Sequence, residues 1–233
     1  MAAITQLDEC FWTVPAAAKL GGLLQLNGRM TVLRLADGGL VIHSPVAYTA
    51  ALGEAVDALG AVHAFIAPSL LHHLHLDDWM VRYPSALSFV APGLPEKRPE
   101  MSISGLLDGE FDARFGAELQ RIPLHGMPMV NESLFFHRPS GALLATDFTF
   151  FVPQATGMTG LYASLMGFKQ RPCCPLLFRL AIRDKAAFRA SLEPLRELDI
   201  RHLSMCHHQV VSSRARETLD YVLTQLQVAG DGR

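Results

Sequence analysis

His72-His73-Leu74-His75-Leu76-Asp77-Asp78 brings three imidazoles and two carboxylates into seven residues. It follows Val62–Ala67, a short unbroken apolar run that Pro68 ends. Such a run is expected of a strand buried on both faces. Open α/β sheets place ligands just beyond the carboxyl ends of their strands, so the cluster is a candidate metal site. His73 and His75 lie two residues apart. In extended backbone, residues i and i+2 point the same way, so both are expected to reach one ion. Asp77 continues that alternation and Asp78 opens the next turn. His72 points the other way and is expected to support a ligand rather than bind. A polar helix start with solvated histidines is the competing reading of the same residues.

Working outward, the chain alternates strands and helices. Arg29–Leu35 and Leu40–His43 read as a hairpin turned at Gly38-Gly39. Thr49 can cap a helix with Leu52, Val56 and Leu59 on one face, and Leu87–Ala91 reads as the next strand. In the second half, Leu119–Pro123, Ser133–His137 and Ala142–Ala145 read as short strands. His125 and Asp147 lie just past two of them. Asp184 can cap a helix bearing Phe188, Leu192 and Leu195. Ile200–Met205 reads as a strand running into Cys206-His207-His208. Ser213 can cap a last helix with Leu219, Val222, Leu223 and Leu226 on one face. The expected class is α/β, a single domain over residues 1–233.

Composition narrows the function. Of 233 residues, 50% are hydrophobic and 18% charged, with a net charge of -2. No basic stripe points to nucleic acid. Mean hydropathy is positive, but the apolar stretch from Gly39 to Leu74 is broken by Glu54, Asp57, Gly60 and Pro68. A spanning helix needs about 20 uninterrupted apolar residues, so no membrane partner is expected. The N-terminus lacks a positive leader and does not read as a signal peptide. Cys10, Cys173, Cys174 and Cys206 match no paired zinc or redox spacing, which fits a reduced, cytoplasmic protein. Cys206 has the softness of a ligand, but free cysteines are commonly buried core residues.

His73-Leu-His75-Leu-Asp77-Asp78 resembles the HxHxDH motif of the metallo-β-lactamase fold, with Asp78 in the place of the last histidine. Further landmarks follow in order: Ile122-Pro-Leu-His125, Ala142-Leu-Leu-Ala-Thr-Asp147 and Leu203-Ser-Met-Cys-His207. Asp37-Gly-Gly-Leu-Val-Ile-His-Ser-Pro45, Ala91-Pro-Gly-Leu-Pro-Glu-Lys-Arg-Pro99 and Asn131-Glu-Ser-Leu-Phe-Phe-His-Arg-Pro139 resemble the DUF4336 group within that superfamily. The resemblance runs over roughly residues 29–227.

That resemblance implies an αββα sandwich and a two-metal site. One metal would use His73, His75 and His125. The second would use Asp77 and His207, with Asp147 bridging and Asp78 replacing an imidazole. Zn²⁺ is the metal implied, one ion or two, with Fe or Mn favoured where carboxylates dominate. Asp77 would orient a metal-activated water in hydrolysis of a small-molecule ester, lactone or phosphoester. The alternatives are an iron-dependent oxidoreductase on the same fold and a non-catalytic member. Between His207 and His208 the strand-end match favours His207. The aromatic and Met-rich stretch Phe148–Phe168 reads as a wall of an apolar pocket, as core, or as a homodimer interface. Lys169, Arg171 and Arg179 read as solvated charges or contacts to an anionic group.

Overall fold

The structure is a computed structural model and describes residues 4–20, 23–207 and 209–228. Seven strands form one sheet: β1 (Thr5–Asp8), β2 (Phe11–Ala16), β5 (Gly28–Arg34), β6 (Leu40–His43), β7 (Val62–Ala67), β8 (Leu87–Val90) and β9 (Gly105–Leu106). Five form a second: β10 (Leu119–Pro123), β11 (Ser133–His137), β12 (Ala142–Ala145), β13 (His202–Met205) and β14 (Val210–Val211). A two-strand ribbon, β3 (Lys19–Leu20) and β4 (Leu24–Gln25), lies apart from both.

Strand alternation builds the layers. Successive strand residues face opposite sides of a sheet. In β6, Val41 joins an apolar cluster shared by the two sheets, while Leu40 and Ile42 join an outer cluster. In β7, Ala64 and Ile66 face inward, Phe65 and Ala67 outward. The second sheet mirrors this. Phe135, Ala142 and Leu144 share the central cluster, while Leu134, Phe136, Leu143 and Ala145 face the far side.

Helices close both outer faces. On the first sheet, α1 (Ala50–Asp57), α2 (Leu76–Arg82) and α3 (Leu94–Lys97) bury Leu52, Val56, Leu76, Trp79 and Leu94. α4 (Gly109–Phe115) sends Phe111 and Phe115 into the central cluster. α5 (Gly157–Met166) and α6 (Leu176–Leu180) lie in the long segment after β12. On the second sheet, α7 (Lys185–Leu192) and α8 (Ala215–Val228) bury Phe188, Leu192, Leu219, Val222, Leu223 and Leu226. Each such side chain removed from water contributes roughly 1.5–3 kcal/mol. The result is the expected αββα arrangement. No described helix is long and apolar enough to cross a membrane.

Several local expectations hold in detail. Thr49 Oγ1 accepts from Leu52 N at 3.2 Å, and Asp184 Oδ1 accepts from Ala187 N at 2.9 Å. The last helix differs: it opens at Ala215 after Arg214, whose φ of 63° is left-handed, so Ser213 does not cap it directly.

Parallel pairing sets up the site. β6 pairs parallel with β7, and β12 parallel with β13. Their carboxyl ends therefore lie side by side. From them emerge Ser44, the loop carrying His72, the pair Thr146-Asp147, and the pair Cys206-His207. Arg29 N donates to Cys206 Sγ at 3.3 Å, tying β5 of the first sheet to the end of β13 in the second.

Candidate metal centre

The cluster lies where those strand ends meet. His72 Nε2 is 3.5 Å from Asp147 Oδ2, and His207 Nε2 is 3.6 Å from Asp147 Oδ1. The His72 and His207 rings meet edge to face, 5.2 Å between centroids. One donor atom each from His72, Cys206 and His207 lie within 4.8 Å of one another.

The outer atoms fix how these side chains are presented. His207 Nδ1 lies 2.9 Å from the Asn27 carbonyl oxygen. A carbonyl only accepts, so Nδ1 carries a proton, and in its neutral form His207 would turn an Nε2 lone pair toward Asp147. His72 Nδ1 contacts Ser44 Oγ at 3.0 Å and Cys206 Sγ at 3.5 Å, leaving Nε2 for Asp147. Ser44 has left-handed backbone, φ 53°, a strained conformation for a non-glycine residue. Asp147 is held by the buried Glu132. Glu132 Oε1 accepts from Thr146 N at 2.6 Å and Thr146 Oγ1 at 2.8 Å, and Oε2 accepts from Asp147 N at 3.1 Å.

The predicted site residues fall into three groups. His207 and Asp147 come together, and their imidazole neighbour is His72 rather than His73. The reason is local: residues 69–75 turn into α2 instead of running extended, so the i, i+2 argument does not apply. His73 is buried, with Nδ1 accepting from Arg98 Nη1 at 3.2 Å, and Arg98 Nη2 also donates to Asp77 Oδ2 at 2.7 Å. Asp77 and Asp78 stand in the first turn of α2, where the helix dipole favours carboxylates. His75 is the residue before that helix and its side chain makes no cap.

His125 is exposed on the loop after β10. Its backbone N donates to Ser191 Oγ at 2.9 Å, and the next residue fastens the loop to the start of α7. Gly126 has φ +80°, its carbonyl accepts from Arg183 N and Asp184 N, and a Cβ there would meet the Asp184 carbonyl oxygen at 2.1 Å. His208 lies outside the described residues.

A family model described as a domain of unknown function (DUF4336) matches residues 9–187. The chain belongs to the DUF4336 family. Solved structures place this DUF4336 chain within the metallo-β-lactamase fold. A metallo-β-lactamase from Pontibacter korlensis aligns at TM-score 0.65 and 10% identity, covering 97% of this chain and 99% of its own. One from Erythrobacter litoralis with β-mercaptoethanol in the active site aligns at 0.64 and 14%, covering 97% and 96%. FIM-1 from Pseudomonas aeruginosa in its mono-zinc form aligns at 0.62 and 9%, covering 99% and 96%. A comparison with curated proteins finds no match.

In the DUF4336 chain the cluster is electrostatically tight. Burial pushes the Asp147 carboxyl up, but His72 and His207 more than reverse this and hold it below the usual carboxylate range. Burial works against charge on His72 too, yet Cys206 and Asp147 raise it well above an ordinary imidazole. His207 is raised against burial, chiefly by Asp147 and Cys206. Burial would raise the Cys206 thiol, but His72 and His207 bring it down to about 6. Burial and the Asp147 charge push Glu132 up. His43, beneath the site, goes down to about 3 through burial and the His72 charge.

The site opens into a cleft of about 420 Å³, with His72, Cys206 and His207 in its lining together with the predicted residues His73 and His75. Apolar walls come from Leu26, Val46, Leu71, Phe150, Tyr162 and Phe178. Phe150 lies over the His207 ring, 4.3 Å between centroids. Part of the stretch after Asp147 therefore does wall a cavity, alongside its packing with Phe168.

Sequence reasoning assigns His72 a supporting role and reads Cys206 as a core residue with the softness of a ligand; the structure brings both to the cluster. Glu132 carried no usable signal, because its role depends on the β11–β12 pairing.

Proposed function

We propose that this protein is a metal-dependent hydrolase built on one ion held by His72 Nε2, His207 Nε2 and Asp147. What carries the reading is a spacing. Among the described residues, Asp147 Oδ2 is buried without a hydrogen-bond partner, and the two imidazole nitrogens stand 3.5 and 3.6 Å from the carboxylate oxygens. Those distances are too long for good hydrogen bonds. Each matches the spacing of two neighbouring ligands on an ion, since bonds of roughly 2.0–2.2 Å at tetrahedral angles set donors about 3.3–3.6 Å apart. The imidazoles face different oxygens of Asp147, and Cys206 Sγ is the third donor within 4.8 Å of both histidines.

An ion held by three protein ligands would keep a fourth position for water or substrate, the pattern of catalytic rather than structural zinc. A divalent ion there supplies Lewis acidity and lowers the pKa of a bound water to about 7. Cys206 and Ser44 orient His72 through its other nitrogen, and the Asn27 carbonyl does the same for His207. The apolar cleft takes the non-reacting part of a small-molecule ester, lactone or phosphoester. This set keeps Asp147 and His207 from the sequence reading, takes His72 where that reading took His73, and leaves out His75, His125, Asp77 and Asp78. We also read residues 1–233 as one domain of this fold. The four unpaired thiols support a reducing, cytoplasmic location.

Two histidines and one carboxylate also form the facial set of non-haem iron proteins, which gives the second reading, an iron-dependent oxidoreductase. Metal analysis of protein purified without added metal, followed by an ester, lactone and phosphoester screen, separates the two. One zinc per chain with turnover supports hydrolysis. One iron with oxygen uptake supports the second reading. No metal after incubation with Zn²⁺, Fe²⁺ or Mn²⁺ sinks both.

Glu132 gives a finer prediction. Glu132→Gln turns one acceptor oxygen into a donor facing Thr146 or Asp147 N–H groups. Zinc affinity is expected to fall about 10- to 100-fold, the range for groups that orient ligands. Unchanged affinity by calorimetric titration would mean that Glu132 does not position Asp147.

A further inference from the structure

We propose that the outer face of α5 and α6 docks the protein onto a lipid bilayer carrying anionic headgroups. Met158, Leu161 and Leu165 recur at helical spacing along α5, and each is more than half exposed. The opposite face of the same helix buries Thr159, Gly160 and Ala163. The neighbouring α6, Leu-Leu-Phe-Arg-Leu, exposes Leu176, Leu177 and Leu180 and buries no residue fully. Six large apolar side chains thus stand in water on two adjoining helices. Contiguous apolar surface of this kind marks an interaction site.

Charge identifies the occupant. The chain as a whole is net -2, yet between Phe148 and Leu192 it carries Lys169, Arg171, Arg179, Arg183, Lys185 and Arg189 against the single acid Asp184. Asp184 is already engaged as the cap of α7. A groove of about 360 Å³ runs beside α6, floored by Leu176, Leu180, Ile182, Phe188 and Leu226. Among the described residues, Arg179, Lys185 and Arg189 are its charged lining residues. An apolar face with cations at its rim is the composition that seats in the interfacial plane of an anionic bilayer. Surface docking of this kind needs no spanning helix. A second copy of the chain would bring the same cations against each other. The inner sides of the same helices supply Tyr162 and Phe178 to the cleft, so docking would hold that cleft close to the membrane surface.

The test is sedimentation of the full chain with vesicles of phosphatidylcholine alone and of phosphatidylcholine with phosphatidylglycerol in equal parts. Binding is expected to the second only, weakening as salt rises. The combined variant Leu161→Ser, Leu165→Ser, Leu177→Ser, Leu180→Ser should lose binding while keeping its melting temperature, since these side chains are exposed. Each basic residue near the surface contributes about fivefold. Arg183→Glu with Lys185→Glu should therefore weaken binding about 25-fold or more. No sedimentation with anionic vesicles overturns the proposal, as does full binding by the serine variant. A concentration-dependent dimer abolished by the same serines also overturns it, because a second copy would then cover the face.

Discussion

Replacing His72 with alanine is expected to weaken zinc binding by more than about a hundredfold, beyond the range for groups that only orient ligands. His72 offers Nε2 to the point it shares with Asp147, and its Nδ1 is already occupied by Ser44 and Cys206. Alanine removes that donor and leaves Asp147 with one imidazole. His75→Ala, in contrast, should leave zinc affinity unchanged, because His75 stands at the start of α2 and is not among the residues around Asp147. The two variants divide the readings cleanly. If the HxHxDH resemblance carries the ligands position for position, His75→Ala is the damaging change and His72→Ala the mild one. Calorimetric titration of each metal-free variant with zinc decides, and circular dichroism confirms that both are folded.

The largest stability effect is expected at Trp79. Its ring is fully buried on α2, stacks on Tyr83 with 5.9 Å between centroids, and meets Tyr48 edge-on at 5.3 Å. Its indole N–H donates to the Val46 carbonyl at 2.7 Å. Trp79→Ala empties the largest fully buried side chain among the described residues and leaves that buried carbonyl unpaired. A loss of about 3–5 kcal/mol follows. For a chain of this length that lowers the melting temperature by about 10 °C. Trp79 also anchors the helix that directly follows the His72–His75 turn. Trp79→Ala is therefore expected to loosen zinc binding as well as lower stability. Trp79→Phe keeps the ring and loses the hydrogen bond, and should cost about 1–3 kcal/mol. A loss below about 1 kcal/mol for Trp79→Ala would mean that α2 is not held by this contact.

The legible parts of this fold were those with a strong local pattern. Val62–Ala67 is apolar without a break and is a strand buried in a parallel sheet. Thr49 and Asp184 are caps because a short polar side chain there can reach a free N–H of the first helical turn. Less was legible where pairing partners are far apart in sequence. Phe11–Ala16 looks unremarkable alone, and it is a strand because β5 lies against it. Helices α5 and α6 were hidden because they turn leucines outward, and α2 was legible only as the competing reading of residues 72–78 as a helix start.

The site followed the same division. Asp147 and His207, which lie together in the structure, were picked out because each follows a recognisable strand. The cluster at residues 72–78 was found as a region but not resolved into single residues. An extended stretch presents alternate residues, whereas a turn into a helix presents whichever residue the turn dictates. Here that residue is His72, and Arg98, 25 residues later, takes up His73. No local pattern reports such a partner.

The most direct measurement is a crystal structure of zinc-soaked protein with data collected on both sides of the zinc absorption edge. One anomalous peak is predicted, about 2.0–2.1 Å from His72 Nε2 and His207 Nε2 and bonded to Asp147. A peak on His73, His75 or His125, or no peak at all, would contradict this account.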